Sequence, residues 1–486
     1  MYSELTNMYT FVIYFVMIGN IFLTGVVIFN EKRETGSTWA WLLVLILLPL
    51  AGLLIYLVFG RQLRHKNSYA KLGQERRLPP SIPNEKRKRI DQTIVDGHHL
   101  LKKYSKIYLM YVTSFNTFAS LDNEVIIFRD GHEKFDALFQ DIRKAKKEIN
   151  IQYYTIQPDE LGKKLRDSLI KKAMNGVKIR ILYDEIGSRR MNRSFFKELM
   201  IYGGEVHVFF PSFLKFFNFH LNNRNHRKAC IIDGSVAYIG GLNIGNEYLG
   251  LNTKYGYWRD THLRIKGEAV NHIQQAFILD WYQTSKQQDL RFDEFSFRNE
   301  KHNGNSPVQV ITSGPYSETE HLKNMYIQLI MSAKESVYIQ TPYFIPDPSF
   351  LDACKIALLA GVDIRIMIPN KDDKLLVYWA TRSYVGELLA YGARILLYEK
   401  GFLHAKAIVV DQEIASVGSA NIDVRSFKLN FEMNTIIYDK EVSNELYHLF
   451  MKDSQVSSEL TINKFRERSF PNKCMEAISR LFSPIL

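Results

Sequence analysis

Cysteine is nearly absent: the 486-residue chain holds three, Cys230, Cys354 and Cys474, far apart and with no CxxC pair among them. So sparse and odd a set argues against a disulfide framework and against a zinc cluster, and points to a catalytic part in a reducing compartment. HExxH and clustered carboxylates are also missing, which removes the common hydrolytic metal sites. The chain further lacks the basic start of a secretory signal, since Glu4 is the only charge before its first apolar run.

That run is long. Met8 to Phe29 and Thr38 to Phe59 are each 22 residues without a charge, separated by the polar stretch Glu31-Lys32-Arg33-Glu34-Thr35-Gly36-Ser37. As helices each would extend roughly 33 Å, enough for a hydrocarbon core of about 30 Å. With Trp39 and Trp41 where indoles favour an interface, residues 1–60 read as a transmembrane helical hairpin. The formal charge of +12 is concentrated just after it: Arg61 to Ile90 carries ten Lys or Arg against Glu75 and Glu85. This excess predicts a multi-pass cell-membrane protein with both termini and everything after Gly60 in the cytoplasm. Residues 61–119 then form a basic juxtamembrane linker lying against anionic lipid.

The rest of the chain is written twice. "AKKEINIQYYTI", "GVKIRILYD", "GGEVHVFFP" and "NHRKACIIDGSVAYIGGLN" recur in order as "AKESVYIQTPYF", "GVDIRIMIP", "GARILLYEK" and "LHAKAIVVDQEIASVGSAN". Short β-branched blocks read as buried strands, and Asp159–Asn175 and Ser349–Ala360 as intervening helices, so the fold class is α/β with a repeat at 120–287 and a second at 306–486. Gly204 to His226 spans 22 positions where Gly392 to His404 spans 12. The ten extra residues include Phe213, Phe216, Phe217 and Phe219, either part of a core strand or an aromatic rim beside the site.

Each repeat carries HxKxxxxDxxxxxxGxxN: His226, Lys228, Asp233, Gly240 and Asn243, then His404, Lys406, Asp411, Gly418 and Asn421. On a strand, residues i and i+2 share a face, so each half presents an imidazole and an ammonium together. Two lysines directed into one cleft call for an anion, and a phosphodiester suits them. Asn243 and Asn421 can donate to its oxygens. Asp233 and Asp411 stand at an odd separation from His and Lys, on the other face, which suits a role in fixing loop geometry. A Lys beside each His would repel a cation, so no metal and no cofactor is expected.

With "GYWRDTHLRI", "TPYFIPD", "GSANIDVRSFKLNFE" and "RLFSPIL" added to these motifs, the chain resembles the phospholipase D superfamily, and most closely the bacterial cardiolipin synthases. The resemblance implies two fused phospholipase D-like α/β/α repeats related by a pseudo-twofold axis, with one active site between them. It also implies transfer between two phosphatidylglycerol molecules to give cardiolipin and glycerol through a phosphohistidine. His226 would be the nucleophile and His404 the acid and base, with Asp260 and Glu432 as candidates to orient the imidazoles. Hydrolysis by water, or an inactive membrane scaffold, are the alternatives. Nucleic acid is not an expected partner, because the excess charge clusters beside the anchor rather than along a groove.

Overall fold

The computed structural model describes residues 2–29, 35–56, 97–115, 117–211, 223–285, 292–297, 302–317, 319–371 and 373–483. The whole basic stretch Arg61–Ile90 and the phenylalanines Phe213, Phe216, Phe217 and Phe219 lie outside them.

The first apolar run is a single helix, Tyr2–Phe29. The second is split into Thr35–Leu47 and Pro49–Ile55, because proline has no N–H to give to the preceding turn and starts a new helix instead. The three segments pack on one another: the Asn20 side chain donates to the Leu45 carbonyl at 3.1 Å, and Val27, Leu45 and Tyr56 are buried together. Phe11, Phe15, Ile18, Ile21 and Phe22 remain exposed. Among the described residues, no helix meets the length and apolarity of a membrane crossing.

Part of the stretch expected to be a basic juxtamembrane linker, residues 61–119, is helical. Helices His99–Lys103 and Ser105–Phe115 bury Leu100, Leu101, Tyr104, Tyr108, Tyr111 and Val112 in a core shared with the second repeat. Helical spacing of those apolar residues explains the docking.

The first repeat contributes β1 (Ala119–Phe128), β2 (Glu148–Tyr153), β3 (Lys178–Asp184), β4 (Glu205–Phe209), β5 (Arg224–Asn225), β6 (Ala229–Ile232), β7 (Val236–Gly240), β8 (Trp258–Arg259) and β9 (His262–Lys266). The second contributes β10 (Ser306–Ser313), β11 (Ser336–Gln340), β12 (Phe344–Ile345), β13 (Asp363–Pro369), β14 (Arg394–Tyr398), β15 (Phe402–Leu403), β16 (Ala407–Val410), β17 (Ile414–Gly418), β18 (Ile422–Asp423), β19 (Asn430–Ile437) and β20 (Ser457–Leu460). The main sheet runs β20-β14-β13-β11-β16-β17-β19-β10-β1-β9-β7-β6-β2-β3-β4. Apart from β20, this order is the same from either end, with antiparallel β1 and β10 at the centre. The two repeats are thus two halves of one mixed sheet.

Helices cover both faces. Gly131–Lys144 and Glu160–Met174 pack on one face of the first half, and His321–Ser332, Pro348–Leu359 and Leu375–Leu389 on the matching face of the second. Ala269–Ser285 and Lys440–Ser454 share the core on the opposite side. Several of these helices begin at an aspartate whose carboxylate accepts from a first-turn N–H, as with Asp130, Asp159, Asp347 and Asp439.

Candidate active site

The motif residues do not sit on regular strands. His226 and Lys228 lie between β5 and β6, and His404 and Lys406 between β15 and β16. Their backbone bonds go across to the other repeat: the His226 N–H donates to the Phe431 carbonyl at 2.9 Å, and the His404 N–H to the Arg259 carbonyl at 2.7 Å. Beside them, β5 pairs in parallel with β19, and β15 with β8. Each half therefore hands its histidine to the other.

The side chains make the same exchange. Nδ1 of His226 lies 2.9 and 3.1 Å from the carboxylate oxygens of Glu432, in the second repeat. Nδ1 of His404 lies 2.7 Å from Asp260 Oδ2, in the first. An Nδ1–H donating to a carboxylate leaves Nε2 with a bare lone pair. Glu432 is itself held by the Ser419 hydroxyl at 2.5 Å and by the Asn430 side-chain amide at 3.2 Å.

Lys228 donates to the carbonyl of His226 at 2.7 Å, and Lys406 to that of His404 at 2.5 Å. An aromatic ring meets each imidazole, Tyr154 at 4.9 Å from His226 and Trp258 at 5.1 Å from His404. In the second half Lys406 Nζ also lies 2.9 Å from Nδ1 of His404.

Burial makes the charged forms of the two imidazoles and two ammonium groups costly. Burial is the main force on both imidazoles, holding His226 and His404 below the usual range and neutral at pH 7. Burial likewise pushes Lys228 down to about 7 and Lys406 to about 8. For Glu432 and Asp260 burial acts the other way, but the neighbouring His and Lys outweigh it and keep both ionised. An anion entering here would restore the ammonium charges and draw a proton onto an imidazole.

Both histidines line one cleft of about 320 Å³, together with Asn243 and Asn421. Asn243 Oδ1 accepts from the Thr155 N–H at 3.1 Å, and its amide nitrogen donates to the Tyr248 hydroxyl at 3.0 Å. Asn421 donates to Asp423 at 3.3 Å. The structure does not bring Asp233 and Asp411 into this group. Each occupies a left-handed turn, φ 52° and 50°. The Asp233 carboxylate accepts backbone N–H bonds from Lys146, Lys147 and Glu148, and that of Asp411 from Lys334, Glu335 and Ser336. They clamp the turn after the motif strand to the start of β2 and of β11. The motif glycine has a steric reason as well: a Cβ on Gly418 would stand 2.3 Å from the Asn434 side chain on β19.

Beneath the cleft lies a buried network that motif reading missed. Asp280 receives Arg227 at 2.6 Å, Gln152 at 2.5 Å and Asn225 at 3.1 Å. Its counterpart Asp453 receives Arg259 at 2.7 Å and Gln340 at 2.8 Å. Arg227 also donates to the backbone carbonyl of Glu432, and Arg259 to that of Asp260. Each arginine thus anchors the residue whose carboxylate meets a histidine. The recurring glutamine of "NIQY" and "YIQT" was the available sequence signal. Among the described residues, no group of three or more His, Cys, Asp or Glu is arranged to hold a metal ion.

The chain matches the family described as "Cardiolipin synthase, PLD-like domain" over residues 138–281 and again over 326–454. Residues 18–61 match the family "Phospholipase_D-nuclease N-terminal". The major cardiolipin synthase of Bacillus subtilis is 50% identical over 472 residues, covering 96% of this chain and 97% of that one. A cardiolipin synthase of Listeria welshimeri is 47% identical over 97% of this chain and 98% of its own length. A phosphatidylserine synthase from Haemophilus influenzae shares the fold, with a TM-score of 0.60 at 16% identity over 79% of this chain and all of that one.

Proposed function

Because this chain belongs to the bacterial cardiolipin synthases of the phospholipase D superfamily, we propose that it joins two phosphatidylglycerol molecules into cardiolipin and glycerol at the cleft between its repeats. The observation that carries the mechanism is the crossed pairing: two neutral imidazoles in one cleft, each bonded to a carboxylate of the other repeat.

His226, with Nδ1 fixed by Glu432, attacks phosphorus through Nε2, and the bond from phosphorus to the headgroup glycerol oxygen breaks. His404, protonated once the phosphodiester anion is bound, gives its proton to that oxygen. The incoming hydroxyl of a second phosphatidylglycerol then returns a proton to His404 and attacks phosphorus, and the N–P bond breaks. Lys228, Lys406, Asn243 and Asn421 face the phosphoryl oxygens as charge develops.

Purified protein with labelled phosphatidylglycerol should yield cardiolipin and one glycerol per product, at an unchanged rate in EDTA. Phosphatidic acid as the main product would make the protein a hydrolase instead. Complete loss in EDTA, restored by a divalent ion, would end the metal-free scheme.

The N-terminal helices anchor the enzyme in the cell membrane as a hairpin, supported by their exposed Phe11, Phe15, Ile18, Ile21 and Phe22 and by the match at 18–61. The basic residues after Gly60 keep the catalytic part cytoplasmic. A Lys144→Cys protein in a Cys474→Ser background, with Cys230 and Cys354 buried, should escape an impermeant maleimide in intact cells and react after permeabilisation. Labelling of intact cells would reverse the topology.

A further inference from the structure

The last described helix, Phe470–Leu481, is built inside out. Apart from half-buried Met475, its apolar residues recur at helical spacing, at Phe470, Cys474, Ala477, Ile478 and Leu481, which ordinarily marks the buried face. Here Phe470 is 77% exposed, Ile478 48% and Leu481 79%, while Glu476 is 5% exposed and Ser479 fully buried. Polar contacts hold the helix in place: Arg480 bonds Glu387 at 2.6 Å and lies 4.5 Å over the Tyr384 ring, and Arg468 bonds Glu476 at 2.8 Å. No side chain of the helix enters the hydrophobic cores. The seam is therefore not what attaches it to the protein.

We infer that this seam lies in the surface of an anionic bilayer, as a second point of membrane contact separate from the N-terminal helices. Charge favours that occupant: Lys464, Arg466 and Lys473 are exposed along the same segment against one exposed acid, Glu467, and basic side chains flanking an apolar face suit anionic headgroups. Position favours it too. The helix packs along Leu375–Leu389, whose N-terminal end reaches the active-site cleft through Asp373, Lys374 and Val377 and exposes Leu375 and Leu376 beside it. From Glu387 to Leu375 is about 18 Å of helix. A lipid surface touching Leu481 is thus within a helix length of the cleft mouth. A cleft of about 320 Å³ holds a headgroup and leaves acyl chains outside, so lowering its mouth onto the bilayer spares the enzyme from extracting its substrate.

The test uses the full-length protein in phosphatidylglycerol bilayers, with a dye on Ala477→Cys in a Cys474→Ser background. Brominated acyl chains should quench the dye at least twofold, and leave a dye on Lys144→Cys unaffected. Quenching by aqueous iodide instead would overturn the inference. Protection from both quenchers, with a doubled particle mass, would show that a second copy covers the seam and would equally overturn it. The triple variant F470S/I478S/L481S should lose the lipid quenching seen from a dye at position 477. It should turn over bilayer phosphatidylglycerol about fivefold more slowly than a short-chain soluble analogue, relative to the parent. Only this turnover arm rests on the proposed reaction; the quenching arm stands or falls without it.

Discussion

Purified His226→Ala and His404→Ala proteins each turn over no phosphatidylglycerol, and an equimolar mixture of the two stays inactive. Both expectations come from the crossed pairing. His226 is fixed by Glu432, and His404 by Asp260, so one phosphorus must meet residues from both halves of the same chain. General acid–base help alone contributes about 10²–10⁴-fold, and loss of the nucleophile removes the covalent route altogether, so neither variant should show more than about a hundredth of the parent rate. The two variants separate when the leaving group changes. A phosphatidyl ester of p-nitrophenol needs no proton to depart, so His404→Ala should release one equivalent of nitrophenol and then stall as phosphohistidine. His226→Ala should release none. The reverse pattern would exchange the two roles, and recovery on mixing would place the site between chains.

How much of this was legible before any coordinates depends on where the information lies in the chain. Repetition was legible because four blocks recur in order, and a recurring block must build a recurring unit; the sheet order, alike from both ends, is that repetition in space. His and Lys were legible because their spacing is invariant between repeats. The shared direction of His and Lys does not come from a regular strand. Both pairs sit in gaps between short strands, where the lysine bonds the carbonyl of its own histidine and the histidine N–H crosses to the other repeat. No local pattern reveals a hydrogen bond between residues well over a hundred positions apart. The same holds for Asp280 and Asp453, each one carboxylate on an otherwise ordinary helix, which matter only because Arg227 and Arg259 reach them from elsewhere. In the second apolar run the charge count concealed Pro49, whose missing N–H divides the helix. The inverted final helix was hidden for a different reason: periodicity says that a helix has an apolar face but not which way it turns.

Glu432→Gln and Asp260→Asn should both fold and both fail, at different steps. The amides keep the size of the carboxylates, and so keep the bonds from Ser419 to Glu432 and from the Thr261 N–H to Asp260. What they lose is the charge that holds Nδ1–H and keeps Nε2 free for its task, attack on phosphorus at His226 and proton transfer at His404. Removing such an orienting partner costs roughly 10–100-fold at metal-bound histidines and up to about 10⁴-fold where a wrong tautomer results, as in the serine-protease triad. A loss of 10²–10⁴-fold in kcat, with little change in KM, is therefore expected for phosphatidylglycerol in either variant. The p-nitrophenyl ester then tells a positioning role from general damage. With Asp260→Asn, the impaired group is the acid that this ester does not require, so the nitrophenol burst should persist at near the parent rate. With Glu432→Gln, the impaired group is the nucleophile, and the burst should slow as much as turnover does. Equal losses for both esters in both variants would mean that the carboxylates serve the fold of the cleft rather than the aim of one histidine each.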